Sequence, residues 1–354
     1  MSEAQVRSAF ADQARVCGSL GSPFTAQVCA LVAERLGRST AVGRRMLDWP
    51  GVPDAHADAL PLRFCGALHA LARAGIVDAV RAAWPPAPTP DDEMLWAAIT
   101  AALEEQGEAV ARWLDGPPQT NEVGRSGPLM AGLLVLAERF GLPFSLYELG
   151  SSAGLNLNLD RYAFDLGGVR AGDPASSVRL SPDWSGPPLA EAEVRVVARR
   201  GVDLSPLDPT DPATAERLLA YVWADQRERV ERLEAALGVA RAHPPEVERA
   251  DGADWLERVL KVEPEPGLCR VVMHTIALQY FPPEGRARVA AHLEQVGAQA
   301  TEAAPLAWLA YEAAAAPDAE GKRWAELTLT TWPGAGRRLL ARGHPHGTFI
   351  AWAV

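Results

Sequence analysis

The stretch that most constrains this chain is 144–161, FSLYELGSSAGLNLNLDR. A short apolar strand, 144–149, runs into a turn of small residues, and apolar side chains then recur at near-helical spacing (Leu155, Leu157, Leu159, Tyr162). Strand, tight turn and helix is the unit with which a doubly wound α/β sheet presents a helix start to a ligand. Gly150, Ser151, Ser152, Ala153 and Gly154 suit such a turn. The backbone must bend sharply, adopt positive φ and let a ligand approach its amides, which bulky side chains prevent.

Three chemistries compete for this turn. The dinucleotide fingerprint requires a glycine or similarly small residue at its sixth place, which is Leu155 here, so a nicotinamide or flavin reading is weak. GSSAG also satisfies G-x-S-x-G, the nucleophile elbow of α/β-hydrolases, with Ser152 as nucleophile. In that fold several strands and an oxyanion-donating loop come first, whereas the chain before Ser152 reads as helices only. The third pattern, E-x-G-x-S-x-G over Glu148, Gly150, Ser152 and Gly154, is similar to the first motif of Rossmann-like S-adenosylmethionine-dependent methyltransferases, with Ser152 in the place of the middle glycine.

A length of 354 residues implies about two domains and an ample core, and 48% hydrophobic residues argue against disorder. A net charge of -11 opposes a surface built to neutralise nucleic-acid phosphates or anionic lipid. Cys17, Cys29, Cys65 and Cys269 are scattered without a C-x-x-C, which reads as reduced, buried thiols. No secretory signal and no uncharged apolar run of about 18 residues is seen, so the expectation is a cytoplasmic protein.

Residues 1–118 read as an α-helical N-terminal domain, with helices at 2–17, 23–36, 60–83 (with a break at Gly75) and 91–114, the last capped by Thr89 with Pro90 at its first position. Residues 119–354 read as a Rossmann-like domain. It opens on QTNEVGR, 119–125, where Gln119, Thr120, Asn121, Glu122 and Arg125 crowd polar side chains before an apolar helix at 128–140. The chain after the glycine turn, 167–188, is an excursion with a hairpin near 178–180. A second strand at 194–198 ends in Arg199 and Arg200 where an acid is expected to hold a ribose; either Asp203, the nearest acid, reaches back or the ribose is held differently. Further elements are a helix at 213–237, a strand at 247–250 ending near Asp251, a helix at 253–260, a buried strand at 269–273 followed by His274 and Thr275, and a helix from Pro283. Strands at 306–312, 327–331 and 348–352 close the chain. The segment 313–324 is either a truncated crossover or a hairpin, which places the loop 332–347, with His344 and His346, on the ligand face or on the opposite one. His-x-His lacks a third ligand, and no metal is expected.

QTNEVGR, ELGSSAGLNLNLDRY, GDP at 172–174, DPTDP at 208–212, YVWADQ at 221–226, HTIALQY at 274–280 and HPHG at 344–347 together resemble an uncharacterised bacterial domain-of-unknown-function family, itself similar to Rossmann-like methyltransferases. The resemblance covers nearly the whole chain and falls on Asn121, Glu122, Arg125, Glu148, Gly150, Ser152, Gly154, Asn156, Asp160, Arg161, Asp208, Asp225, Gln226, His274 and His346. That family has no established reaction, so the resemblance implies a fold and a pocket but no substrate; the leading expectation is a methyltransferase with S-adenosylmethionine as cofactor and a small-molecule methyl acceptor. Glu148, Gly150, Ser152, Gly154 and Asn156 would hold the methionine end, Asp203 the ribose and Asp251 the adenine. Glu122 or His274 would be the base, with Asn121 and Arg125 beside it. The rival expectations are a non-catalytic binding or regulatory module on the same fold and a serine hydrolase using Ser152.

Overall fold

The computed structural model describes residues 2–318, 324–334 and 336–354, in two units: Met1–Thr120 with Pro212–Glu231, and Asn121–Asp211 with Arg232–Val354. The first boundary falls close to 118. The segment 212–231, read from sequence as part of the second domain, groups instead with the N-terminal helices.

The first unit holds helices Glu3–Ser19, Pro23–Arg35, Ala41–Leu47, Leu60–Ala74, Asp78–Ala83, Asp92–Glu105, Gly107–Trp113 and Pro212–Ala220. Gly75, at φ +65°, closes Leu60–Ala74 in the left-handed conformation that glycine adopts without strain. The 91–114 expectation is corrected: the helix splits at Gln106, and its cap is Asp91, whose side chain accepts from the Met94 amide. A carboxylate beside the first free amides is a better cap than Thr89 two positions earlier. Ala41–Leu47 is too short for its periodicity to stand out. Apolar faces meet in a core that includes edge-to-face rings, Phe10 with Phe64 at 6.0 Å and Phe24 with Trp84 at 4.9 Å.

YVWADQ interrupts the expected 213–237 helix, leaving Pro212–Ala220 and Arg227–Ala242. Its polar residues clasp the helices of the first unit. Asp225 accepts from Ser22 Oγ (2.5 Å) and the Phe24 amide (2.9 Å), which caps Pro23–Arg35 from a distant part of the chain. Gln226 donates to the Leu20 carbonyl, and His69 Nδ1 lies 2.8 Å from the Val222 carbonyl.

The second unit is built on strands β1 (Phe144–Leu149), β2 (Ala163–Leu166), β3 (Val169–Gly172), β4 (Arg179–Leu180), β5 (Asp183–Ser185), β6 (Val196–Asp203), β7 (Val247–Arg249), β8 (Cys269–Thr275), β9 (Leu306–Ala313), β10 (Ala325–Trp332), β11 (Arg338–Gly343) and β12 (Phe349–Trp352). Nine of them form one mostly parallel sheet, ordered β5-β12-β11-β10-β9-β8-β1-β6-β7. From β7 to β9 the strands are all parallel and run third, second, first, fourth, fifth in chain order, which puts a switch point between β1 and β8. β8 is buried along its whole length, as a strand covered on both faces must be.

Four expectations are corrected here. β6 continues past Ala198 to Asp203: Arg199 pairs with Asp160 at 2.6 and 2.9 Å and Arg200 with Glu248 at 2.6 Å, so the strand carries charges that break its apolar pattern. Asp203 thereby becomes the strand-end acid. The excursion folds as a separate sheet, in which β2 and β3 form the hairpin and β4 joins β2 in parallel. The segment after the glycine turn, Leu155–Arg161, is a 3-10 helix rather than an α-helix. β9 and β10 are antiparallel, so 313–324 is a hairpin, part of whose turn (319–323) lies outside the described residues. β11 then divides the loop expected at 332–347. The turn after Trp332 lies at the amino ends of the parallel strands, while β11 returns the chain and delivers His344–Gly347 to their carboxyl ends. No helix among the described residues is long and apolar enough to cross a membrane.

Candidate functional site

Three adjacent strands of the second unit each end in an acid: Glu148 on β1, Asp203 on β6 and Asp251 just beyond β7. Glu148 is buried, and burial pushes its carboxyl up to about 8, against hydrogen bonds from Asn156 and Ser151 that pull down and the charge of Asp203 that adds to the rise. Its Oε2 and the Ser152 hydroxyl are shielded from solvent and have no hydrogen-bond partner among the described residues. Asp203 is anchored by backbone, Oδ2 accepting from the Ser152 amide (2.9 Å) and Oδ1 from the Ser205 amide (2.8 Å). Asp251 is exposed and caps helix Gly252–Val259, accepting from the Ala253 and Asp254 amides.

The turn between β1 and Leu155 is drawn tight by its own amides. Gly150 and Ser151 donate to the Val202 carbonyl, Gly154 to the Ser151 carbonyl, Ser152 to Asp203, and Leu155 to Asn121 Oδ1. The expectation that the amides of 150–154 are offered to a ligand is therefore corrected for Gly150, Ser151, Ser152 and Gly154, whose amides the protein uses itself. Gly150 (φ +68°) leaves no room for a side chain: a Cβ there would stand 2.5 Å from the Ala277 methyl. Ser152 (φ +55°) and Ile276 (φ +46°) are non-glycine residues held in the left-handed region, one in the turn after β1 and one in the turn after β8. Such strain persists only where surrounding contacts enforce it, and it concentrates at functional sites.

QTNEVGR supplies a second layer. Glu122 Oε1 accepts from the Gly124 amide and so caps the 3-10 turn Val123–Arg125. Asn121, buried, starts the Leu155–Arg161 helix through the bond above, and Asn156 accepts from Ser126 Oγ (2.8 Å). Arg125 donates from Nε to the Pro345 carbonyl (2.9 Å) and from Nη1 to the Thr275 carbonyl (3.3 Å), tying HPHG to the end of β8. A Cβ on Gly124 would meet the His346 carbonyl at 2.2 Å, which explains the glycine. Among the described residues no group of His, Cys, Asp and Glu side chains is placed to hold a metal ion.

His274, at the end of β8, lies on a different partner set. Trp308 Nε1, which can only donate, lies 2.9 Å from His274 Nε2; the ring proton therefore sits on Nδ1, which donates to Glu312 Oε1 at 2.7 Å. The same Oε1 accepts from the Ala277 and Leu278 amides. Both ring nitrogens are therefore engaged, one by Trp308 and one by Glu312.

The structure thus gathers Asn121, Glu122, Arg125, Glu148, Gly150, Ser152, Gly154, Asn156 and Asp203 around the ends of β1, β6 and β8. His274 is oriented toward β9, and Asp225 and Gln226 belong to the first unit. Asp160 pairs with Arg199, and Asp208 accepts from the amide and hydroxyl of Thr210. Glu312 and Trp308 escape a motif reading; their signal is the alternation Trp308, Ala310, Glu312 on one face of a strand whose end reaches the ligand side.

A family described as "Uncharacterized protein conserved in bacteria (DUF2332)" matches residues 7–352, and the chain belongs to it. No curated protein and no solved structure matches.

Proposed function

From this membership, which fixes a bacterial family but no reaction, we propose that the protein is an S-adenosylmethionine-dependent methyltransferase acting on a small molecule. The observation that carries the reading is the row of acids Glu148, Asp203 and Asp251 on three adjacent parallel strands. A ligand read by acids is rich in donors and positive charge. S-adenosylmethionine meets that description, with an ammonium, a sulfonium, ribose hydroxyls and an adenine amine. A dinucleotide does not, because its pyrophosphate needs several free amides and those of Gly150, Ser151, Ser152, Gly154 and Leu155 are already used.

The residues fit the cofactor in a second respect. Glu148 Oε2 and Ser152 Oγ are buried without partners among the described residues, and a buried unpaired acceptor costs about 1–3 kcal/mol, which a cationic donor would offset. When bound, the cofactor supplies a methyl group on a positively charged sulfur. Glu148 would face the cationic methionine end, Asp203 the ribose and Asp251 the adenine. A cation beside Glu148 would draw the proton off a carboxyl that stands near 8 without one. Asn121, Asn156 and Arg125 would hold the turn and the HPHG segment in place. Of the two candidate bases, Glu122 is favoured over His274, whose two nitrogens are committed to Trp308 and Glu312.

A serine-hydrolase reading draws on one observation, the left-handed Ser152 at a strand-to-helix turn. Its hydroxyl, however, has no hydrogen-bond partner, and so no base, among the described residues.

The test is thermal unfolding with and without S-adenosylmethionine. A ligand at 100 times its Kd stabilises by about 2.7 kcal/mol. The expected result is a raised Tm with S-adenosylmethionine, none with NAD, and loss of the rise in Asp203→Asn. An unchanged Tm at about 1 mM cofactor, a concentration that saturates any site with Kd in the micromolar range, overturns the proposal.

A further inference from the structure

The face of the sheet formed by β8, β9 and β10 carries a cleft of about 270 Å³ that the strand-end acids do not use. Trp308, Ala310 and Glu312 alternate along β9, and β10 sets Thr330 opposite Trp308 and Thr328 opposite Ala310, so these five side chains share one surface. The floor is part apolar and part hydroxyl. At one end of it the turn after β8 anchors two opposite charges. Glu312 accepts from the Leu278 amide, and Arg286 donates to the carbonyls of Gln279 (3.4 Å) and Phe281 (2.8 Å).

Neither charge is spent on the other. Glu312 Oε2 is shielded from solvent and has no donor among the described residues, and the remaining N–H groups of exposed Arg286 have no acceptor there. A carboxylate and a guanidinium fixed on one short turn, above a wall of Trp308 and Thr330, are complementary to a zwitterion with an apolar tail. The volume lies just under the roughly 300–1,000 Å³ of drug-sized sites, which is the scale of a single amino acid.

We propose that this cleft binds a free α-amino acid with a large apolar or aromatic side chain: its ammonium on Glu312, its carboxylate on Arg286, its side chain along Trp308, Thr328 and Thr330. The inference stands apart from the S-adenosylmethionine reading and survives its failure.

Isothermal titration of the full chain with L-phenylalanine, phenethylamine and 3-phenylpropionate tests it. L-phenylalanine is expected to bind, and each analogue lacking one charge to bind about 10- to 100-fold more weakly, the worth of one charge-assisted bond. Arg286→Ala, at an exposed position, should weaken L-phenylalanine by a similar factor and leave phenethylamine unchanged, a split that a merely structural arginine would not produce. Asp203→Asn should leave L-phenylalanine unchanged. No heat with L-phenylalanine, L-tryptophan or L-leucine, affinity indifferent to Arg286→Ala, or affinity lost in Asp203→Asn each overturns the inference.

Discussion

Glu148 and Glu312 lie at the carboxyl ends of two parallel strands of one sheet, with only β8 between them, yet their carboxyls are driven in opposite directions. Burial raises both. At Glu148 it wins, because only neutral side chains bond to the carboxyl and Asp203 adds a like charge, and the group stands at about 8. At Glu312 burial loses to the hydrogen bond from His274 and to those from the Ala277 and Leu278 amides, which hold the carboxyl below its ordinary range. Burial alone therefore does not set a carboxyl's state; the donors aimed at it do. Glu312 is the keystone of a local network, and Glu148 is an acid lacking a counter-charge.

The largest effect that sharpens this contrast is on stability. Glu312→Ala strips the acceptor from His274 Nδ1 and from two amides, and should cost on the order of 3 kcal/mol. Glu148→Gln at pH 4, where the carboxyl is largely protonated in the folded and the unfolded chain alike, replaces it with a neutral amide of the same shape and should change stability by about 1 kcal/mol or less. Urea midpoints of the two variants decide it, and equal losses would break the comparison.

The next effect is in pH. The folded value of Glu148, about 8, lies above its ordinary 4.5, so its contribution is fully present below about 4.5 and is lost as pH rises through 8. His69 runs the other way. Buried in the first unit, it is lowered to about 4 from 6.5, so its contribution is present above 6.5 and is lost as pH falls toward 4. Taking wild type minus Glu148→Gln removes the His69 part. That difference should fall by a few kcal/mol between about pH 5 and 9 and flatten beyond. A flat difference across the window would mean that Glu148 already has a counter-charge.

How far the sequence reaches is itself set by these environments. β1, its small-residue turn and β8 were legible because an uninterrupted apolar run needs no partner to be recognised. β6 was cut short at Ala198 because its arginines are acceptable only once Asp160 and Glu248 are in place, and those partners lie far off in the chain. The acids were readable as types and positions. Their division into a carboxyl held down by donors aimed at it and one without a counter-charge was not, since Trp308, Glu312 and the 276–278 turn meet only when β9 pairs with β8. The use of the turn amides by Asn121 and Asp203 was hidden for the same reason, with contacts spanning 34 and 51 positions.

The smallest effect concerns Ser152, and its smallness is informative. The residue, at φ +55°, is held by the hydrogen bond from its amide to Asp203, while its hydroxyl has no partner among the described residues. Alanine carries the same Cβ into the same left-handed strain and leaves the amide untouched, so Ser152→Ala should shift stability by no more than about 0.5 kcal/mol. The rise in Tm with S-adenosylmethionine should persist in that variant, and a fluorophosphonate probe should label neither protein. Labelling of wild type that disappears in Ser152→Ala would show an activated hydroxyl, and with it a base that approaches Ser152 only in another conformation. In that event the orphaned oxygens at the end of β1 would mark a nucleophile and its surroundings, and the counter-charge assigned to Glu148 would have to come from the protein itself.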